Sequence, residues 1–386
     1  MNHPTRRAVW QGRPIKRCFT MKREIFEDLF VLELANNHWG NLERGLRIIS
    51  EFSKVVRFNN VRAAIKLQFR DVDHFIHKDF RSRTDIRYIK KTLDTQMPRE
   101  HFATMVEAIR KAGCIPMATP FDEKSVDLCV DLGLPMLKLA SSDVNDWPLI
   151  ERLAMTRKPV LCSTGGTSQK DLDDLVSFFD NRNIPLAINH CIALYPSDDK
   201  DLEMNQIDFL HNRYPNHTIG FSTHERTSWD NSMLIAYAKG ARTFERHIDI
   251  DDGAHPVSPY CSLPAQIDVW FKAFIKAKEM CGGSGESKRV PKDEEITYLD
   301  GLLRGVYARR DLSEGHTLEH ERINDDVYLA VPLLKGQLSC RELMSGEVFS
   351  RPVKADAPIM IDDIDSAYAH NEVLRKTIYN RGIEQA

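Results

Sequence analysis

Eight short apolar runs, many rich in β-branched residues, recur along the chain and alternate with segments of helical periodicity, and this rhythm constrains the fold more than any other feature. The runs are Leu29 to Ala35, Ala63 to Gln68, Ile115 to Thr119, Met136 to Ala140, Val160 to Ser163, Pro185 to His190, Thr218 to Ser222 and Arg242 to His247. Between them lie amphipathic stretches, among them Arg44 to Arg57, Arg99 to Ala112, Glu123 to Leu132, Trp147 to Ala154, Gln169 to Phe179 and Trp229 to Lys239. Strand followed by helix, repeated, predicts a parallel sheet covered by helices. Eight such strands within about 250 residues is the count of a (β/α)8 TIM barrel. An open doubly wound sheet would carry a Gly-rich phosphate turn after its first strand, and none stands there. The Gly165-Gly166 pair follows the fifth run and lacks the GxGxxG spacing.

The rhythm ends after a closing helix over Ala265 to Met280, where the breaker run Cys281-Gly-Gly-Ser-Gly285 begins a polar stretch. The expected organisation is an N-terminal extension (1–24), the barrel (25–282), a linker (283–300), a small β-rich domain (301–365) and a tail that turns helical from Ser366 (366–386). In the small domain the strand-like pieces are Gly305 to Ala308, Asp311 to Gly315, Val327 to Val331 and Phe349 to Val353.

Charge narrows the function classes. With 53 basic and 56 acidic residues the net charge is -3, without the basic excess of a nucleic-acid or anionic-membrane binder. No run reaches the roughly 20 apolar residues that span a bilayer. The first twenty-odd residues are basic but have no apolar h-region, so we expect no secretory signal and a cytoplasmic protein. The 8 cysteines form no CxxC pair, which argues against a zinc ribbon or a dithiol redox centre and for reduced, mostly buried thiols.

In such a barrel, ligands bind at the C-terminal mouth, so polar residues that close an apolar strand are the candidates. They are Glu33; Lys66 and Gln68; Thr119 with Phe121; Lys138 and Ser141; Ser163 with Thr164; Ser222 and His224; and Glu245 and His247. The i, i+2 spacing of several pairs aims both side chains to one face of their strand. Two imidazoles from adjacent strand ends can share a metal ion, and two interior lysines with hydroxyls suit a small polyanion. Each element has a plainer reading. A strand-end histidine is often only a satisfied structural group, and Ser141, Ser163 and Ser222 can simply cap a following helix. His190 and Cys191 read as core, and the basic runs Arg81 to Arg87 and Lys90-Lys91 read as solvated faces.

The motifs Glu33-Leu-Ala-Asn-Asn-His-Trp-Gly40, Ala64-Ile-Lys-Leu-Gln68, Ala118-Thr-Pro-Phe-Asp122, Leu137-Lys-Leu-Ala-Ser141, Pro159-Val-Leu-Cys-Ser-Thr-Gly165, Asn189-His-Cys191 with Tyr195-Pro196, Gly220-Phe-Ser-Thr-His224 and Phe244-Glu-Arg-His247 resemble the sialic acid (N-acetylneuraminate) synthase family with its legionaminate, pseudaminate and spore-coat polysaccharide relatives. The resemblance implies a barrel followed by a small β-clip domain of the antifreeze-like (SAF) type. It also implies condensation of phosphoenolpyruvate with an N-acylated amino-sugar aldehyde and water, assisted by Mn²⁺ or by Mg²⁺ or Co²⁺, in a homodimer whose small domains cap the partner's barrel. By position, it assigns Lys66, Thr119, Lys138, Ser141, Ser163 and Ser222 to phosphoenolpyruvate. His224 and His247 fall at the metal, and Glu33, Gln68, Tyr195 and Glu245 near the acceptor sugar, with Glu33, Glu245 or a metal-bound water as base.

Three departures stand out. Ala193 replaces an expected Asn, and Val257-Ser258-Pro259 replaces a segment bearing an Asp, for which Asp249, Asp251 or Asp252 are candidate substitutes. Leu329-Ala-Val-Pro332 replaces an arginine-bearing segment of the small domain, with Arg341 or Lys335 as candidate substitutes. Two alternatives therefore remain open, a synthase acting on a non-acetylated sugar or sugar phosphate and a catalytically degenerate sugar-binding barrel.

Overall fold

A computed structural model describes residues 24–283, 285, 287–339, 341–342, 346–366 and 369–385. The expected N-terminal extension falls almost wholly outside these residues, as do Cys18 and Cys340. The chain divides between Gly282 and Gly283 into two compact units.

The first unit is a closed barrel of parallel strands in sequence order. The strands are β1 (Leu29–Ala35), β2 (Ala63–Phe69), β3 (Ile115–Pro120), β4 (Met136–Leu139), β5 (Val160–Ser163), β6 (Leu186–Cys191), β7 (Thr218–Thr223) and β8 (Thr243–His247). Each expected strand is present, with ends shifted by a residue or so. Helices Leu42–Asn59, Arg99–Lys111, Glu123–Asp131, Trp147–Met155, Gln169–Asn181, Trp229–Ala238 and Pro264–Cys281 fill the expected amphipathic stretches. Three helices were not expected, the single turn Val72–Phe75 and the longer Arg87–Asp94 and Gln206–Arg213. The longer two are each 8 residues long; Ile86 offers no capping side chain, and Asn205, a capping residue type, makes no capping hydrogen bond.

Period-two alternation explains how the barrel carries a site. The inward-facing residues near the strand starts, among them Leu29, Val31, Ala64, Met117, Leu161 and Ala187, form a buried apolar plug with Phe26. Two or four residues further along the same faces, the inward positions become Glu33, Lys66, Lys138, Ser163 and Asn189, all nearly inaccessible. The outward faces pack the main core under the helices, where Phe30 meets Trp270, Phe271 and Phe274 at ring-centroid distances of 5.1, 4.7 and 4.9 Å. Between plug and site sits Gly220. A Cβ there would lie 1.9 Å from Thr243 Oγ1 and 2.5 Å from the Thr243 carbonyl oxygen, so close packing of β7 on β8 requires glycine.

The second unit is small and built from short antiparallel pairs, β9 (Gly305–Ala308) with β10 (Val327–Ala330) and β11 (Val348–Phe349) with β12 (Ile364–Asp365). Its core gathers Val306, Leu318, Leu338, Phe349, Ile359 and Ile361. The stretch read as a polar linker contains a helix, Asp293–Asp300. The tail is helical over Glu372–Tyr379, contributes Ile378 to this core, and pairs Ile383 with Leu334. The expected strand at Asp311 to Gly315 is reduced to a single bridge, Leu312 with Val353. Lys335 is held by Glu384 at 2.6 Å, and Arg341 is exposed.

Among the described residues no helix is long and apolar enough to cross a membrane. The described cysteines are free thiols, all buried except Cys281.

Candidate active site

The strand register brings polar residues from around the barrel to one height. Glu33 is paired in register with Lys66 on one side and with His247 on the other, Gln68 with Thr119, and Ser222 with Glu245. A cavity of about 780 Å³ opens above them, lined by every residue singled out from the sequence as a site candidate except Thr164, whose hydroxyl donates to the Asn189 carbonyl at 3.2 Å.

At its base, two lysines and two glutamates form a buried square. Lys66 Nζ pairs with Glu33, lies 3.3 Å from Glu245 Oε1 and donates to Thr119 Oγ1 at 2.9 Å. Lys138 Nζ donates to Ser163 Oγ and, at 3.2 Å, to Glu245 Oε2. Gln68 Nε2 donates to Glu33 Oε1 at 3.1 Å. Burial alone would push both carboxyls up, but the environments divide them. Lys138 and Lys66 overcome burial at Glu245 and hold it at about 2, whereas burial keeps Glu33 raised against Lys66. Glu245 and Glu33 in turn outweigh burial at Lys66 and raise it, so this ammonium stays charged.

Ser141 and Ser163 face this square, and the Gly165 N–H donates to Ser141 Oγ at 3.0 Å. The capping alternative for the serines is corrected by the helix starts. The helices after β4, β5 and β7 begin at Asp146, Ser168 and Ser228 instead, several residues further along the chain. Ser141, Ser163 and Ser222 are thereby left at the cavity wall.

His224 and His247 stand side by side, ring centroids 5.3 Å apart. His224 Nδ1 lies 2.9 Å from the Ile192 carbonyl, which can only accept, so Nδ1 carries the proton and Nε2 keeps its lone pair. His247 Nδ1 is buried without a hydrogen-bond partner. Burial lowers His224 to about 4, and burial together with His224 puts His247 well below the ordinary imidazole range, so both rings are neutral. Tyr195 tilts over His224 at 3.9 Å, and Tyr260 meets His247 edge-on at 5.1 Å. A pair of neutral imidazoles, one with an unsatisfied buried nitrogen, suits a divalent ion as two of its ligands. No third His, Cys, Asp or Glu joins them in a metal-binding group among the described residues.

Several plain readings are revised. His190 is a core residue, as expected, with Nε2 2.7 Å from the Leu202 carbonyl, but Cys191 lines the cavity. The substitutes considered for the absent Asp do not reach the site. Arg44 holds Asp249 at 2.7 Å and also pairs with Asp252, and none of Asp249, Asp251 and Asp252 lines the cavity. The basic run is mostly solvated as expected, with Arg83, Arg87 and Lys90 exposed, but half-buried Lys91 and the exposed Arg87 line the cavity with Arg70 and Tyr88. Arg70 was legible as the next i+2 position after Lys66 and Gln68. Arg87, Lys91 and Tyr260 carry no sequence signal, since the chain fold alone turns their segments toward the mouth.

The sequence profile of the NeuB family matches residues 59–284, more than half of the chain. A crystal structure assigned as spore coat polysaccharide biosynthesis protein E from Chromobacterium violaceum is 36% identical, with a TM-score of 0.83, and the match covers 88% of this chain and 100% of that one. The N-acetylneuraminate-9-phosphate synthase of Drosophila melanogaster is 28% identical over 294 residues, 72% of this chain and 74% of its own. A pseudaminic acid synthase of Campylobacter jejuni is 25% identical over 319 residues, 79% and 88% of the two chains. A profile match across most of the barrel, joined to a solved relative covered from end to end, makes this chain a member of the NeuB family.

Proposed function

We propose that this protein condenses phosphoenolpyruvate with a sugar aldehyde, of the N-acylated amino-sugar class, and water, forming a nonulosonic acid and phosphate for surface-polysaccharide synthesis. The observation that carries the reading is the convergence of two buried ammonium groups, Lys66 and Lys138, on one cavity with the serines and both imidazoles. Glu33 and Glu245 pair these ammonium groups, and a proton held on the raised Glu33 leaves the cluster a positive charge for an anionic ligand to offset. The relatives named as synthases support the same chemistry.

In this reading Lys138, Ser141, Ser163 and Ser222 hold the phosphate, and Lys66 with Thr119 holds the carboxylate. His224 and His247 hold a divalent ion, Mn²⁺ in the first instance, which supplies Lewis acidity toward the aldehyde oxygen. Glu33, Gln68, Tyr195 and Glu245 orient the acceptor. The enol carbon of phosphoenolpyruvate bonds to the aldehyde carbon, whose oxygen takes a proton from Glu33, the carboxyl that burial keeps raised. Water then adds to the ester-bearing carbon and gives its proton to the ionised Glu245. The carbon–oxygen bond to phosphate then breaks, phosphate leaves with that electron pair and takes up the proton of the adduct's remaining hydroxyl, and the keto group forms. With Glu33 protonated and Glu245 ionised, the cluster of two lysines and two glutamates carries one positive charge, and return of the proton from Glu245 to Glu33 after turnover restores that state.

Phosphate release from phosphoenolpyruvate with Mn²⁺ tests the reading, over a panel of N-acetylmannosamine, di-acetamido hexoses, mannose and pentose phosphates. Release with an N-acylated amino sugar is expected. Absence of release with every acceptor would overturn it.

A further inference from the structure

The cavity has a second cationic wall, further out than the lysine square. Residues 66, 68 and 70 lie on one face of β2 and its extension, so Arg70 stands two steps, about 13 Å of extended chain, above Lys66. That backbone spacing exceeds the length of phosphoenolpyruvate, and on this side of the cavity the Gln68 amide bridges the two layers, accepting from Arg70 and donating to Glu33. Arg70 is fixed in place. Its guanidinium lies over the Phe121 ring, 3.7 Å from the centroid, and Nη1 donates to Gln68 Oε1 at 3.0 Å. Arg87 and Lys91, four residues apart on one helix face, join it on the cavity wall.

The pairing pattern in this segment is selective. Arg81 is paired with Asp73 at 2.6 Å, Arg83 with Asp85 at 2.6 Å and Lys90 with Asp94 at 2.5 Å, all toward solvent. Among the described residues, Arg70, Arg87 and Lys91 have no carboxylate within ion-pair distance. The acidic groups nearest this wall are engaged elsewhere in whole or in part, Asp143 keeping one buried oxygen without a hydrogen-bond partner and acting on Arg70 through space. Asp122 accepts from the Asp71 N–H and from Ser125, Asp143 accepts from Ser142 Oγ at 2.7 Å, and Glu33 belongs to the lysine square. Burial pushes Arg70 down to about 10 against the pull of Asp143, Glu33 and Asp122, and burial with the neighbouring Arg70 and Arg87 lowers Lys91.

We propose that Arg70, Arg87 and Lys91 form a distal anion subsite that binds an acidic group, a phosphomonoester or a carboxylate, on the end of the acceptor remote from its aldehyde. The inference rests on the reading that a sugar aldehyde binds in this cavity, and it narrows that sugar to an acidic one. An arginine fork held flat by an aromatic ring presents paired N–H donors suited to either oxyanion, and the other cations add charge.

Calorimetric binding of N-acetylmannosamine, its 6-phosphate and N-acetylmannosaminuronate tests the subsite without requiring turnover. In the unmodified protein at least one acidic sugar should bind tenfold or more tightly than the neutral parent, and whether the phosphate or the uronate binds tighter identifies the group. In Arg87→Gln/Lys91→Gln the ratio of acidic to neutral affinity should collapse toward one, and Lys91→Arg alone should retain most of it. Thermal melts of each variant separate loss of the subsite from loss of the fold. Equal affinity for acidic and neutral sugars, or a ratio unchanged in the double variant, would overturn the subsite. Failure of phosphate release with preserved acidic-sugar binding would instead overturn only the proposed reaction.

Discussion

Lys138 on β4 places its Nζ 3.2 Å from Glu245 Oε2 on β8, an ion pair across the barrel interior between residues 107 positions apart in the chain. Both side chains are almost inaccessible, and Glu245 is shared with Lys66, so the two ammonium groups are coupled through one carboxylate. A ligand that takes up one lysine therefore shifts the balance at the other.

The coupling predicts that Lys138→Met and the double variant Lys138→Met/Glu245→Met part company in stability but not in activity. The single variant leaves a buried carboxylate with one partner and should cost roughly 2–4 kcal/mol in urea unfolding. The double variant should recover part of that loss, because an apolar pair replaces a half-broken ion pair. Phosphate release should stay at least a hundredfold down in both. Recovery of activity in the double variant would remove Lys138 from the substrate site.

For the imidazole pair, His224→Ala and His247→Ala should each weaken Mn²⁺ binding, read by titration of free Mn²⁺ in paramagnetic resonance, by tenfold or more. The His247 variant should also relieve an unsatisfied buried nitrogen, so its urea midpoint should fall little. Unchanged Mn²⁺ affinity in both variants would return the two residues to a structural role.

Arg44 fixes the loop after β8. Its side chain is 4% exposed, pairs with Asp249 at 2.7 Å and with Asp252, and donates to the Asn37 carbonyl at 2.7 Å. Arg44→Met should destabilise by roughly 3 kcal/mol, since Asp249 would remain buried without its cation. Equilibrium unfolding at neutral pH measures this, and a change below about 0.5 kcal/mol would contradict the clamp.

Stability should also fall in mild acid through His38. This ring is wholly buried, accepts from the Gly40 N–H at 3.0 Å, and is held down at about 4 by burial. Its folded value lies below the unfolded one near 6.5, so between pH 6.5 and 4 the unfolded chain binds more protons. The contribution is therefore complete above pH 6.5 and is lost as the pH falls toward 4, on the order of 3 kcal/mol in all. His38→Gln should show a shallower decline over that window than the unmodified protein.

The barrel was legible because each strand reads as a short buried run and each following helix has an amphipathic stripe, which are local patterns. The site candidates were legible for a related reason, since a polar residue after an inward apolar one on the same face must end up at the mouth. Where local signals were absent, expectation failed. The helices Arg87–Asp94 and Gln206–Arg213 start without side-chain caps, and the linker's helix Asp293–Asp300 has no buried face of its own. Asp249 and Asp252 looked available to replace a missing carboxylate, and only the tertiary partner, Arg44, removes them.

The amino-acid order by itself determined the strand count, the inward stripe running from Leu29 through Val31 to Glu33, and the lysine and histidine positions, because period-two geometry acts within a single strand. Only the folded barrel decided that Lys138 shares Glu245 with Lys66, that two imidazoles stand neutral beside each other, and that Arg87 and Lys91 border the cavity while Arg83 and Lys90 pair with neighbouring aspartates. Charge state and pairing depend on what the closed cylinder brings within a few ångströms, and those neighbours come from segments that no local pattern connects.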